Sequence, residues 1–438
     1  MEQKRVVITA AGAATPLGLT MEQTWEQLCE GASGIDKIKA FEPSGFPCQL
    51  AGEVPDFKVR KYVPKKYRKA TKLMCRDIEL AVVATDDAIR TAGLVTKAID
   101  GDNINIDPRR TGINIGAGLI SCDLEEIAPA VSRSLTDGKF DIKKWGKEGI
   151  QYLTPLWLLK YLPNMLACHI GIIHDIQGVS NTITCGEMSG LLSVIEAAET
   201  ILRDFCDISV AGAAEAKVNP IVMSRQCILE RTTKDYNDTP DKACRPFDKN
   251  ATGSVFGEAG AILILEDFEN ARKRDAAPLA EIAGVGQSAS INKEYQHLEP
   301  DGKAIAIAVK KALADASIEP DKLDLIIPHG TGIPADDMAE TRGLNTSLGE
   351  SAERIPVFPS KSMLSTTGAA SGAIDLAIAA KAILEGKIPA ARNCDEKAEG
   401  CNLNINRELK ETKINYALCC GYTYGGQTAA IVLKNING

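Results

Sequence analysis

Apolar and polar positions along the chain alternate between two rhythms. Short, nearly unbroken apolar runs of four to nine residues alternate with longer segments in which apolar residues return every three or four positions. The runs at 6–10, 111–116, 181–184, 207–215 and 261–266 predict strands, and 78–92 and the segment after Gly190 predict helices. The same sequence of elements then recurs. Strands are expected at 279–285, 324–330, 357–360, 416–420 and 429–433, with helices at 304–316 and 369–384. A helix, an aspartate, an apolar strand and a glycine turn come in the same order at Asp207 and Asp324, which implies a diverged internal duplication. Continuous apolar strands between helices predict mostly parallel sheets covered on both faces. The polar stretches 137–152, 230–245 and 393–412 read as loop insertions, and no flexible linker separates the halves.

With 438 residues the chain is long enough for two fused halves. Composition (45% hydrophobic, 25% charged, 37 glycines) is that of a globular α/β protein. A net charge of −8 argues against nucleic-acid or bulk membrane binding. No apolar run reaches the ~20 residues that span a bilayer, and the opening Met-Glu-Gln-Lys does not read as a signal peptide. Thirteen scattered cysteines without metal spacing, including the apolar Cys419-Cys420 pair, are expected to be reduced thiols in a cytoplasmic protein. His169, His174 and His297 have no partner spacing for a metal, and none is expected.

One stretch carries the chemistry. Gly178-Val-Ser-Asn-Thr-Ile-Thr-Cys-Gly-Glu-Met-Ser-Gly190 runs from a β-branched strand through a tight turn into a helix. Such an elbow projects one side chain at a helix N-terminus. The stretch resembles the active-site elbow of the β-ketoacyl-(acyl carrier protein) synthases, whose Ala-Cys-x-Ser-Gly cysteine accepts the acyl chain. Aligned without a gap, that cysteine falls on Glu187, and Cys185 lies two residues earlier.

The resemblance extends over the chain. It covers Val6 to Gly18, Cys244-Arg-Pro-Phe-Asp-Lys249 with Gly253 to Gly260, His329-Gly-Thr-Gly-Ile-Pro-Ala-Asp-Asp337, Lys361 to Gly372, and Tyr424-Gly425-Gly426. It implies an α/β thiolase-like fold, with two duplicated βαβ halves, 1–267 and 268–438, stacked as five layers (α-β-α-β-α). It implies no cofactor beyond the phosphopantetheine arm of an acyl carrier protein.

The family's first histidine falls on His329, its second on Thr366, the motif lysine on Lys361 with Glu340 as the expected partner, and the gating aromatic on Tyr422. With nucleophile and second histidine both replaced, no intact catalytic set remains. The expectation is a chain-length-factor-type subunit of a type II polyketide or aryl-polyene ketosynthase. It would not be active alone, but would pair with a catalytic ketosynthase subunit and shape the acyl tunnel. Leu156, Trp157, Thr182, Thr184 and Tyr422 are its expected tunnel and interface residues. Residues 58–76 hold nine Lys or Arg and no acid. Such a run reads as a solvated helix face, and by resemblance Lys65, Lys66 and Arg68 become candidates for carrier docking. Two other functions stay open: an active synthase or acyltransferase using Cys185 or Glu187, and a non-catalytic scaffold or acyl-binding homodimer.

Overall fold

A computed structural model describes residues 4–292 and 297–436. In the first half, strands β1 (Val6–Ala14), β2 (Thr111–Ala117), β3 (Ser180–Ile183), β4 (Ile208–Ala216) and β5 (Glu258–Asp267) lie in the order β3-β2-β4-β5-β1. β2 runs parallel to both neighbours, and β5 runs antiparallel to β4 and β1. The second half comprises β6 (Ala280–Ala289), β7 (Leu325–Ile327), β8 (Pro356–Val357), β9 (Tyr416–Tyr422) and β10 (Gln427–Lys434). The order of these five, β8-β7-β9-β10-β6, is the same, and so is every strand direction, with the short strand Asn404–Ile405 added in parallel beyond β8. That identity of order and sense is the duplication expected from the repeated rhythm. The two sheets meet edge to edge where β1 pairs with β6, through Val7↔Glu281 and Ile8↔Ala280.

Helices make the other three layers. α1 (Arg76–Thr91) and α2 (Met165–His174) share a core with the outer face of the first sheet. α3 (Ser189–Leu202) packs in the middle layer, where its core is shared with both sheets. α4 (Lys303–Asp315) and α5 (Pro334–Leu348) cover the second sheet, and α6 (Ser371–Glu385) joins α3 in the middle. All of α6 except its last two residues is buried, which is why it is mostly apolar and rich in alanine. The strands divide their residues by parity. Ala259, Ala261, Leu263 and Leu265 of β5 face the middle layer, whereas Ile262 and Ile264 face α1. By the same parity Cys419 and Cys420 enter different cores.

Two sequence expectations change. The basic run is not a helix face: Val59–Lys61, Lys65–Tyr67 and Ala70–Leu73 are separate 3-10 turns, and α1 begins only at Arg76. Pro64 fixes an extended backbone ahead of the second turn, so no continuous helix forms across the run. The insertion at 137–152 is also not all loop, since Lys139–Phe140, which pairs with Leu135–Thr136 just before it, and the helix Ile142–Lys147 occupy it.

Candidate active site

The elbow leaves β3 at Thr184. It turns through Cys185 (φ −143, ψ 42) and Gly186 (φ +53), then enters α3 through the 3-10 turn Gly186–Met188. The left-handed φ at Gly186 is the reason for glycine there. Gly116 of β2 is required by contact instead, because a Cβ on it would lie 2.5 Å from the Ser189 carbonyl carbon. Ser189 locks the turn. Its Oγ accepts the Cys185 N–H at 2.8 Å and lies 2.7 Å from the Gly186 carbonyl and 3.0 Å from that of Ala117.

This turn buries Glu187 and leaves Cys185 half-buried. The Cys185 thiol is pushed up, first by burial and then by the charge of Glu187. At neutral pH it is therefore a protonated thiol.

Across from the elbow lies His329, also buried. Its backbone N–H donates to Glu340 Oε1 at 2.7 Å, and the next N–H, of Gly330, donates to Glu340 Oε2 at 2.8 Å. Its ring meets Tyr422 edge-on at 4.6 Å, and among the described residues Nδ1 has no hydrogen-bond partner. Burial, helped by Lys361 and Arg231, holds the imidazole well below its ordinary pKa. It is therefore neutral, with one N–H to donate.

Lys361 does not pair with Glu340. Its Nζ donates to Asp375 Oδ2 of α6 at 2.8 Å, both groups being almost wholly buried. Glu340 is already occupied by two backbone amides and by the Cys420 thiol at 3.5 Å, and α6 places Asp375 beside the lysine. Burial raises Glu340 to about 8 and also raises Asp375. Thr366 is tied into the adjoining segment. Its Oγ1 lies 2.7 Å from Ser254 Oγ, its N–H donates to Val255, and its carbonyl accepts from Gly257.

The sequence reading missed a further pair. Glu215, at the end of β4, and Lys217 just beyond it form a buried ion pair at 3.0 Å, and Glu215 Oε2 also accepts the Ala369 N–H at 2.7 Å. The signal was present, because Glu215-Ala-Lys217 puts two opposite charges on one face at the end of an apolar strand. A cleft of about 890 Å³ lined by Phe41, Asp56, Arg76, Asp123 and Pro220 shares no residue with this constellation.

Asp77, in the first turn of α1, receives the Ala216 N–H at 3.0 Å, and burial pushes its carboxyl up to about 7. Its folded state holds a proton that the unfolded chain has lost, so its contribution falls as pH rises from about 4 to about 7. At ~1.36 kcal/mol per unit that loss is roughly 4 kcal/mol at most. Asp77→Asn is expected to flatten the fall in urea-unfolding stability between pH 5 and pH 8. An unchanged slope would refute the assignment.

The expected interface residues lie elsewhere. Trp157 is half-buried against Tyr161, with ring centroids 5.3 Å apart, and Leu156 is exposed. Thr182 and Thr184 lie at the open edge of the first sheet, Thr182 half-buried and Thr184 exposed. Tyr422 alone of that group lines the site. Lys65, Lys66 and Arg68 are exposed. Among the described residues no group of three or more His, Cys, Asp or Glu could hold a metal, and no helix is long and apolar enough to cross a membrane.

Residues 3–271 match the beta-ketoacyl synthase N-terminal domain, and residues 279–395 match the C-terminal domain. The chain belongs to the β-ketoacyl synthase family. A 3-oxoacyl-[acyl-carrier-protein] synthase 2 of Coxiella burnetii is 30% identical over 439 residues, covering 100% of both chains. The same name recurs among other full-length relatives. Among solved structures, an ishigamide ketosynthase/chain length factor is 26% identical, with a TM-score of 0.83 over 99% of each chain. A type II PKS acyl-carrier protein in complex with its ketosynthase bound to the hexaketide is 25% identical, with a TM-score of 0.81 over 99% of this chain and 100% of that one.

These relatives correct the functional expectation. The full-length curated matches are synthases by name, so the family likeness favours a condensing enzyme over a chain-length-factor subunit. The heterodimer with a catalytic ketosynthase subunit rested on that expectation and has no support of its own. That expectation rested on Glu187 and Thr366 standing where the family has its cysteine and second histidine.

Proposed function

We propose that the chain is a condensing enzyme for acyl chains carried as thioesters on an acyl carrier protein, with Cys185 as acyl acceptor and Glu187 as its base. What carries this reading is the thiol and carboxylate coupled at one elbow of a chain that is, over its whole length, similar to 3-oxoacyl-[acyl-carrier-protein] synthases. A protonated thiol attacks a thioester only as its proton leaves, and an adjacent carboxylate is the group to take it. The Sγ–H bond breaks toward Glu187, the Sγ–C bond forms at the acyl carbonyl, and the carrier's thiol departs with the proton Glu187 returns. Neutral His329 donates to the developing oxyanion. The Cys185 N–H is engaged by Ser189 and is not available for that task. In the second half-reaction a carrier-bound malonyl group loses carbon dioxide. Its carbanion attacks the Cys185 thioester, expelling the Cys185 thiolate, which takes up a proton from solvent, and leaving a β-ketoacyl chain on the carrier. No cofactor beyond the phosphopantetheine arm is required. Incubation with acyl-carrier and malonyl-carrier should give a β-ketoacyl carrier two carbons longer, read by mass spectrometry. Recovery of both carriers unchanged would refute the reading.

The carrier would dock on the cations of residues 58–72, where Lys65, Lys66 and Arg68 are exposed and form no ion pair among the described residues. Changing all three to alanine is expected to weaken carrier binding by roughly tenfold at low salt, with the difference vanishing as salt screens the charges. Equal affinity at low salt would remove this surface from the account.

A second copy would cover the open edge strand β3 and exposed apolar side chains such as Leu156 and Leu158. In that dimer Trp157 would close the far end of the neighbouring acyl chamber. Trp157→Ala is then expected to shift product length upward, and an unchanged product distribution would exclude it.

A further inference from the structure

We infer that the basic segment before α1 builds a binding site for a phosphate monoester or diphosphate, held by Lys58, Arg60, Lys61 and Arg68. The inference goes beyond the proposed function and would stand in a chain that transfers no acyl group. Residues 58–76 carry nine Lys or Arg and no acid in a chain of net charge −8. On a continuous helix such a run would spread its charge over a solvated face. Here it does not. The first and third of the 3-10 turns, Val59–Lys61 and Ala70–Leu73, both contribute to the wall of a cleft of about 440 Å³, and all four cations line it.

Two contacts tie these turns together. Thr71, itself buried, donates its hydroxyl to the Arg68 carbonyl at 2.9 Å, and Arg60 Nε reaches the same hydroxyl oxygen at 3.5 Å. The cations themselves are exposed, and among the described residues none of the four forms an ion pair. Glu79 of α1 is the one acid among the lining residues. Four cations against one acid leave the cleft a net charge of +3. Like charges gathered round one cavity repel, and a multiply charged anion relieves that repulsion.

The shape of the lining narrows the ligand. A carboxylate brings one charge and two acceptor oxygens, whereas a phosphate monoester brings about two charges and three oxygens. The guanidinium forks of Arg60 and Arg68 suit such oxygens in pairs. A nucleobase finds no free platform, because the Phe57 ring is already covered by Arg76 at 4.5 Å and met edge-on by Tyr62 at 6.3 Å. The recognised group is therefore the phosphate. It has two sources: a free small molecule, or the phosphodiester that joins a pantetheine arm to a carrier. The phosphodiester has a single charge, so the cleft favours the free monoester or diphosphate. Arg68 also belongs to the proposed carrier surface, so a phosphate held here would compete with an acidic carrier.

Calorimetric titration of the full chain with inorganic pyrophosphate tests the site, at about 0.15 M salt, where distant charges are screened. One equivalent is expected to bind. Arg60→Ala/Lys61→Ala should weaken it by about tenfold or more, the effect of losing a charge-assisted hydrogen bond. Lys65→Ala/Lys66→Ala removes the same charge outside the cleft and is expected to change the affinity by less than about twofold. All four of these side chains are exposed, so neither change disturbs the core. Absence of saturable binding would overturn the inference, and so would equal weakening by the two pairs, which would mean diffuse surface charge. A second arm compares a carrier with and without its phosphopantetheine. If pyrophosphate does not bind and Arg60→Ala/Lys61→Ala weakens only the armed carrier, the phosphate is the carrier's own and the small-molecule occupant is excluded. Pyrophosphate binding in a chain that takes no acyl group from a carrier would refute the proposed function and leave this site standing. Acyl transfer without pyrophosphate binding would do the reverse.

Discussion

Exchanging Glu187 for glutamine is expected to slow acyl transfer from the carrier about 100- to 10,000-fold at neutral pH, the range a positioned general base contributes. Cys185→Ala should abolish transfer, since no acceptor atom remains. The glutamine variant has a further signature. The Glu187 charge is one of the two causes that raise the Cys185 thiol, so removing it moves the thiol back toward its ordinary range. As pH rises, the variant generates its own thiolate more readily than the wild type does. Its deficit should therefore shrink between pH 7 and pH 10. Single-turnover rates across that span are the check. A deficit that stays constant or widens would separate Glu187 from the proton transfer.

The second large effect concerns stability. Lys361 and Asp375 are both almost wholly buried and 2.8 Å apart, and the Ser360 hydroxyl donates to the same carboxylate. Lys361→Met would leave Asp375 as an uncompensated charge between the middle layer and the second sheet. Breaking one side of such a buried pair costs about 3–5 kcal/mol. Lys361→Met/Asp375→Leu should regain most of that loss, short of what the stranded Ser360 hydroxyl costs. Urea unfolding of the two variants gives the comparison. Equal destabilisation by the single and double changes would show that the ion pair is not the source. Burial raises Asp375, so the single variant should also recover stability in acid, where its carboxyl takes up a proton.

The layered fold was legible because an inner strand such as β5 is buried along nearly its whole length and is apolar between its acidic ends, while α6 is buried and mostly apolar between two sheets. The duplication was legible in the spacing of the Asp207 and Asp324 segments and returns as two sheets of identical order. The places of Glu187, His329, Thr366 and Lys361 followed from motif order. What the chain order could not give was side-chain partnership across elements. Asp375, not Glu340, meets Lys361 because α6 lies in the middle layer, and nothing in the linear sequence fixes that choice. The Glu215–Lys217 pair went unread for the same reason, since it is buried only where the Gly368 turn folds over it. The functional expectation had another origin: it rests on the acid at the family's nucleophile position, whereas the full-length relatives are synthases by name.

The most direct measurement mixes the purified wild-type chain with an acyl carrier bearing a saturated acyl chain, quenches in acid, and maps the modified peptide by mass. The account predicts one acyl group on Cys185, absent in Cys185→Ala and slow to appear in Glu187→Gln. An unmodified chain, or an acyl group attached anywhere other than Cys185, would contradict it.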